Sequence, residues 1–249
     1  MKLLIKILGI LIVLLLVAVF LVGYFLDGIV KKGIETAGPK IAKVDVKLDG
    51  VNISLLSGSG SIHGLVVGNP EGYKTPQALK VNDARLVLKP SSLASSKLVI
   101  KELHLRDPEI TIEGGMKDNN LTKIQANVEA FAAGEKSDPN APKKKLQVDD
   151  FLVSGAKVHI AFSLFGDKPK TISIPDIHLT NLGQGEDGIT PGELAKRFST
   201  EVTKGVLAAI PAAIADLGKG VTDAAKGLGK EAGKSVEKVT KGIGELFKK

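Results

Sequence analysis

The chain contains an internal repeat, in which one pattern of apolar and polar residues occurs twice. The two copies read LVIKELHLRDPEITI (98–112) and LQVDDFLVSGAKVHI (146–160), and they superpose without a gap. Leu98 matches Leu146, and Leu103 matches Phe151. Because apolar and polar residues alternate within each copy, both copies have the pattern of β-strands with one apolar face.

Each copy also interrupts its alternation at the same place. Two residues instead of one separate the second and third apolar positions, after Ile100 and after Val148. An extra residue of this kind is typical of a β-bulge. The segment ISIPDIHL (172–179) has the same spacing and is interpreted as a partial third copy. A bend that recurs at one place predicts a sheet that curls into a trough.

Similar alternation elsewhere raises the predicted number of strands to about nine before residue 180. Short turns separate these strands, which favours an antiparallel sheet. The predicted domain covers residues 40–182 and includes a short helix at 122–133. Thr122 and Gln125 form a capping-box pattern at its start, and Gly134 is expected to end it. A polar loop follows at 134–145, whose closing lysines are either solvated or in contact with lipid headgroups.

An uncharged stretch, ILGILIVLLLVAVFLVGYFL, occupies residues 7–26. As a helix it would be about 30 Å long, which matches the hydrocarbon core of a bilayer. A cleaved signal peptide is the alternative, but the run is long for one and no A-x-A site follows it. We therefore predict a transmembrane anchor at 1–32. Lys2 and Lys6 precede the stretch and Asp27 offsets the lysines that follow it, which favours a cytoplasmic N-terminus.

The last quarter of the chain has helical periodicity. Thr190, Pro191 and Glu193 form a helix start, and a helix at 190–217 is expected to pack on the domain. Pro211 should kink or end it. Residues 218–249 form a basic amphipathic tail, which either lies on a membrane surface or covers the chain's own sheet. The residues predicted for the membrane surface are Leu228, Lys230, Lys234, Val236, Lys238, Val239, Lys241, Ile243 and Phe247.

No catalytic or cofactor motif is recognisable in the sequence. The stretch LLSGSGSIHGLVVGNPEGY (55–73) is rich in glycine, but it leads into a strand pattern instead of a helix, so it predicts a turn and no nucleotide site. Cysteine is absent, and the four histidines are dispersed singly, which disfavours a metal site. We predict a non-enzymatic protein without cofactor or metal.

The charge balance indicates the class of partner. The formal net charge is +7, which favours an anionic partner such as lipid headgroups or nucleic acid. Aromatic residues make up only 4% of the chain and tryptophan is absent, so the stacking platforms for nucleic acid are missing. Phospholipid is therefore the predicted partner.

Several of these segments together resemble the AsmA-like family of bacterial envelope proteins. The resemblance lies in the N-terminal anchor, the 55–73 block, the strand unit LVIKELHLRDPEITIEG and the segment ISIPDIHLTNLGQGEDGITPGELAKR. It implies a single-pass inner-membrane protein with its body in the periplasm and other envelope proteins as partners. It further implies a curled β-groove with a role in phospholipid transport and outer-membrane biogenesis or maintenance. This chain is shorter than long members of the family.

The expected fold class is therefore α+β, with a transmembrane helix, a curled antiparallel sheet or groove and C-terminal amphipathic helices. In the first functional hypothesis, the apolar face of the groove shelters phospholipid. The residues predicted to face the lipid are Val44, Val46, Leu86, Leu88, Leu98, Ile100, Val158 and Ile160. In the alternative, the protein is a membrane-tethered scaffold or assembly protein whose groove is filled by its own helices, through Leu194, Phe198, Val202 and Val206.

Overall fold

The computed structural model describes residues 27–54, 56–137, 144–162 and 170–228. The apolar stretch 7–26 and the residues predicted for the membrane surface beyond Leu228 lie outside these ranges. None of the helices within the described residues has the length and hydropathy that a membrane span needs.

Three helices and ten strands make up the described fold, which is α+β. The helices are α1 (27–42), α2 (Asn120–Ser137) and α3 (Pro191–Leu228). The strands are β1 (Val46–Lys47), β2 (Gly50–Ile53), β3 (Ser59–Val67), β4 (Leu79–Leu88), β5 (Lys97–Arg106), β6 (Glu109–Gly114), β7 (Lys145–Ser154), β8 (Lys157–Phe162), β9 (Lys170–Ser173) and β10 (Ile177–Leu182).

All ten strands belong to one curled sheet. Two short strands that follow one another often pair with the same long strand. β1 and β2 both pair with β3, β3 pairs with β4, and β4 pairs with both β5 and β6. β5 and β6 then pair with β7 and β8, which in turn pair with β10 and β9. The ten strands are therefore arranged as six long strands side by side, because β1 and β2, β5 and β6, β7 and β8, and β9 and β10 each form one long strand that bends near its middle.

The two copies of the repeat lie side by side, in register, in this sheet. Leu98 is opposite Leu146 on the β5–β7 pair, and Ile110 is opposite Val158 on the β6–β8 pair. Both pairs are parallel. The prediction of an all-antiparallel sheet is therefore wrong, and the sheet is mixed. The reason is α2, which lies between the copies and returns the chain to the same end of the sheet, as a parallel connection requires.

The partial third copy does not extend this parallel arrangement. Ile172 pairs with Val158 and Leu179 pairs with Phe151, both antiparallel. Only residues 163–169 connect β8 to β9, which is shorter than a parallel crossover needs. Pro175 and Asp176, the two residues that interrupt the alternation in this copy, lie between β9 and β10 instead of forming a bulge within one strand.

The predicted bulge is present in the first copy, where the β4–β5 register slips between Val87 and Leu88 as it passes Lys101. A second, sharper bend crosses the sheet between β5 and β6 and between β7 and β8. It uses left-handed backbone at Asp107 (φ 46°) and Gly155 (φ 67°). Glycine adopts this conformation without strain, whereas a side chain at Gly155 would displace the carboxylate of Asp107. These bends produce the curl of the sheet.

The ends of α2 differ from the prediction. Asn119 caps this helix, because its Oδ1 accepts a hydrogen bond from the N–H of Thr122 at 2.9 Å, while the Thr122 hydroxyl accepts one from the N–H of Asn119. Thr122 therefore lies inside the first turn instead of preceding it. The helix also passes Gly134 and continues to Ser137. A single glycine costs only about 1 kcal/mol of helix propensity, which neighbouring packing offsets.

The start of α3 confirms the predicted capping box. The N–H of Glu193 donates to Oγ1 of Thr190 at 3.0 Å, and the N–H of Thr190 donates to Oε2 of Glu193 at 3.0 Å. Pro211 does not end the helix, which runs on to Leu228.

Helix α1 covers one edge of the sheet. Oδ1 of Asp27 accepts a hydrogen bond from the N–H of Ile53 at 2.8 Å, and Oε1 of Glu35 accepts one from the N–H of Leu48 at 3.1 Å. Between them Lys31 donates to the carbonyl of Asp49 at 3.0 Å. Because these three residues recur every fourth position, they form one stripe that satisfies the free edge of β1 and β2.

An apolar cleft between the helices and the sheet

The concave face of the sheet and the three helices enclose the core, but they leave an apolar cleft of about 270 Å³ between them. Each of the three helices contributes side chains to it, and so do β1, β3, β4, β5 and β6. The cleft is lined by Ile34, Gly38, Ile41, Ala42, Val46, Leu65, Val67, Ala78, Leu79, Leu105, Ile110, Leu121, Ile124, Val128, Ala195, Phe198, Ser199, Val202 and Thr203.

The lining contains no ionisable side chain and only two hydroxyl groups. One of them, the hydroxyl of Ser199, donates a hydrogen bond to the carbonyl of Lys196 within α3 at 3.1 Å. That donor is therefore already used, and the cleft offers an almost purely apolar surface. Such a space suits hydrocarbon and does not hold an ordered network of water.

Small residues on the helices keep the cleft open. A Cβ added at Gly38 of α1 would lie 2.8 Å from Cβ of Val46. Glycine is therefore what allows this helix to approach β1 so closely. Ala42 of α1 and Ala195 of α3 also line the cleft, where larger side chains would occupy it.

Most of the residues predicted to face lipid belong to the core instead. Val158 and Ile160 are fully buried, and Val44, Leu86, Leu88 and Ile100 are each at most 9% exposed. Leu98 is half-buried and packs against this core. Among the eight, Val46 alone lines the cleft. The sequence thus indicates the apolar face, whereas it does not indicate which part of that face the helices leave uncovered.

Helix α3 fills much of the trough. Val206 and Ile210 are fully buried, Val202 is 7% exposed, and Leu194 packs against the same core. The ring of Phe198 lies 5.3 Å from that of Phe151 on β7, centroid to centroid, in a tilted arrangement. Tilted rings at this separation attract each other beyond the apolar area that they bury. These contacts agree with the packing expected under the scaffold hypothesis, and the cleft is what they leave open.

A buried polar network fixes the first turn of α2 at one end of the cleft. The Asn120 amide group donates to Oδ1 of Asn69 at 2.7 Å and to the carbonyl of Thr111 at 2.8 Å. Its oxygen accepts a hydrogen bond from the N–H of Glu113 at 2.9 Å. Asn120 is completely buried, so these bonds form without competition from water.

The carboxylate of Glu113 extends this network to the loop before β4. Partial burial would raise the pKa of Glu113, but hydrogen bonds from the N–H groups of Lys74 and Thr75 and from the Thr75 hydroxyl outweigh it and lower the pKa below its usual value. Glu113 therefore remains ionised and holds the loop against β6.

A Ser-His-Asp arrangement that the sequence did not indicate lies on the opposite, convex face of the sheet. Oγ of Ser61 is 2.9 Å from Nε2 of His63, whose Nδ1 is 2.6 Å from Oδ1 of Asp83. The connectivity is that of a nucleophile, a base and an orienting acid. However, the side chain of Asp83 is 67% exposed. Water therefore competes for this carboxylate and screens the pair. We interpret these residues as a polar ladder across β3 and β4.

The glycine-rich stretch forms a turn, and the other histidines lie apart from one another. Gly58 closes a turn with φ 72°, and β3 follows it directly, as predicted. His104, His159 and His178 contact Ser154, Thr171 and Asp150 respectively, on separate parts of the sheet. The described residues contain no group of three side chains able to hold a metal ion.

Comparisons with known proteins returned no relative. No family model matches the chain, and no curated protein or solved structure matches it either.

Proposed function

We propose that this protein is a non-enzymatic lipid-binding protein of the membrane surface, which shelters part of one phospholipid acyl chain in the cleft between the helices and the sheet. The observation that supports it is the cleft itself, a space of about 270 Å³ without an ionisable group in its lining. A cavity of about 150 Å³ with an apolar lining is enough to bind benzene. Each methylene that enters such a space from water contributes about 0.8 kcal/mol.

Helix α1 joins the cleft to the N-terminal apolar stretch. Ile34 of α1 lines it, only about two helical turns from Asp27. Asp27 in turn follows directly on the uncharged stretch 7–26. If that stretch is the anchor proposed from the sequence, α1 leads from the bilayer to the cleft, whose lining residues on β3, β4 and β5 lie toward the end of the sheet away from the anchor.

The resemblance to the AsmA-like family implies a wider role for this activity. We propose that the body of the protein lies in the periplasm, with its anchor in the inner membrane. There it would contribute to phospholipid transport and to outer-membrane maintenance. The small size of the cleft favours holding one chain of a lipid over conducting lipids along a continuous groove.

The alternative is a membrane-tethered scaffold without a lipid ligand. The burial of Val206 and Ile210 of α3 favours it, because the helix occupies the trough that the sequence assigned to lipid. The two proposals differ in one respect: the scaffold requires no occupant in the remaining cleft.

Filling the cleft distinguishes them. Ala195→Phe should reduce co-purified phospholipid at least tenfold, because the new ring occupies the space of the acyl chain. Native mass spectrometry of the full-length protein, released from membranes in mild detergent, measures the bound fraction. Ala208→Phe places the same ring on the exposed side of the same helix and should retain the lipid.

Thermal unfolding of both variants provides the control for folding. Equal melting temperatures together with lipid loss only in Ala195→Phe would support the cleft as the binding site. Wild-type protein that is free of lipid, or lipid that is retained by Ala195→Phe, would favour the scaffold.

A further inference from the structure

Two large apolar side chains stand out in the described residues because they are exposed: Leu56 at 88% and Ile29 at 66%. Both lie at the same end of the sheet. Leu56 is in the turn between β2 and β3, and Ile29 is in the first described turn of α1. The hydrogen bond from the N–H of Ile53 to Asp27 joins the two elements at this point.

Backbone hydrogen bonds close the turn that carries Leu56. The N–H of Ser54 donates to the carbonyl of Ser59 at 2.8 Å, and the N–H of Gly58 donates to the carbonyl of Ser54 at 2.8 Å. The turn is further tied to β4, because the N–H of Leu88 donates to the carbonyl of Gly58 at 2.7 Å. This closed turn therefore exposes a leucine side chain that does not contribute to the core.

Lysines lie along the same end of the sheet. We call the group formed by Lys89, Lys97, Lys144 and Lys145 the lysine rim. Lys89 follows the end of β4 and Lys97 begins β5, while Lys144 and Lys145 lie at the start of β7, so the strand register places all four along this end. The acids of the same end are Asp27, whose Oδ1 is bonded to the N–H of Ile53, and Glu186 and Asp187 in the loop before α3. The rim therefore exceeds these acids by one charge.

The chain outside the described residues indicates what this end faces. Residues 7–26 carry no charge and lead directly into Asp27. A segment of that length and composition partitions into a bilayer. It would bring the start of α1, and with it Ile29 and Leu56, to the boundary between hydrocarbon and headgroups.

We propose that this end of the sheet docks on an anionic phospholipid bilayer, with Leu56 and Ile29 in the interface and the lysine rim against the headgroups. Apolar tips that enter the acyl boundary and lysines that contact anionic lipid act together in such docking. The contact orients the body, so that the concave face of the sheet rises from the membrane. It does not depend on an occupant in the cleft.

A single tryptophan can test this insertion, because the chain has no tryptophan of its own. Leu56→Trp in the full-length protein, reconstituted into bilayers that contain phosphatidylglycerol, should lose at least half of its fluorescence when the acyl chains are brominated close to the headgroup. Lys117→Trp, in the exposed loop between β6 and α2 at the opposite end, should lose less than a tenth. Equal quenching at the two positions would overturn the proposal.

The contribution of charge needs a second measurement. In the Leu56→Trp background, Lys89→Glu with Lys144→Glu should reduce quenching at least twofold, and bilayers of phosphatidylcholine alone should do the same. Unchanged quenching in both would refute the role of the lysine rim. A blue-shifted emission without bromine quenching would show that a protein covers Leu56, which also contradicts the proposal. Adding Ala195→Phe should leave the quenching unchanged, which separates this result from that of the cleft.

Discussion

Replacing Val206 by aspartate should destabilise the domain by about 4 kcal/mol or more, so that its melting transition shifts to a much lower temperature or disappears. Val206 is fully buried between α3 and the sheet. A carboxylate without a partner at such a site costs on the order of 4 kcal/mol or more, or forces the group to take up a proton. Domains of this size are stable by only about 5 to 15 kcal/mol, so one change of this kind removes a large part of the margin.

Circular dichroism during heating of the detergent-solubilised full-length protein measures this loss. Ala208→Asp is the matched control, because it adds the same charge to an exposed position two residues away on the same helix. It should change the free energy of unfolding by less than about 0.5 kcal/mol. A Val206→Asp variant that melts like the wild type would show that α3 does not form part of the core.

Replacing Asn120 by alanine should destabilise the protein by about 3 to 5 kcal/mol, because three hydrogen bonds are lost at once. Oδ1 of Asn69, the carbonyl of Thr111 and the N–H of Glu113 would each lose the partner that Asn120 provides. The new side chain offers no replacement, and its smaller volume leaves space beneath the first turn of α2.

Asn127→Ala is the comparison for this change. Asn127 lies on the same helix, and its amide donates to the carbonyl of Ala42 at 3.0 Å. Its loss should cost about 1 kcal/mol, as is usual for a single hydrogen bond. Chemical denaturation of both variants measures the two free energies. Equal values would mean that the Asn120 network does not act as the anchor of α2.

The strands and their apolar face could be predicted from alternation, and the repeat even indicated the register of two strand pairs. Leu98 opposite Leu146 and Ile110 opposite Val158 are the same matches that superpose the two copies in the sequence. Strand direction could not be inferred in the same way, because alternation is identical in parallel and antiparallel strands. The information was instead in the predicted helix between the copies, since a helical crossover returns the chain in the parallel direction.

The helix ends show how local signals compete. Thr190 and Glu193 form the capping box that their spacing predicts. In α2, however, the cap is Asn119 and not Thr122. Asparagine and threonine are both good caps, and the bridge between Asn119 and Gly114 at the end of β6 determines where the turn begins. Such a contact between separate elements of the fold has no signature in the capping pattern itself.

The cleft could not be predicted because it depends on how closely three helices approach one sheet. The inward residues Val158 and Val46 have the same pattern in the sequence, yet helix packing buries the first in the core and leaves the second at the cleft. Small helical residues such as Gly38 and Ala195 were the available signal. That these small residues leave space for a cleft can be recognised only when the strand beside each helix is known.

The most direct test of the proposed function is to locate a lipid chain on the protein. Full-length protein in a bilayer that contains a phospholipid with a diazirine in one acyl chain would be irradiated, digested and analysed by mass spectrometry. We expect crosslinks in three segments that line the cleft, 34–42, 121–128 and 195–203. Ala195→Phe should remove them, whereas Ala208→Phe should not. Crosslinks that are confined to residues outside the cleft, or that persist in Ala195→Phe, would contradict the proposal.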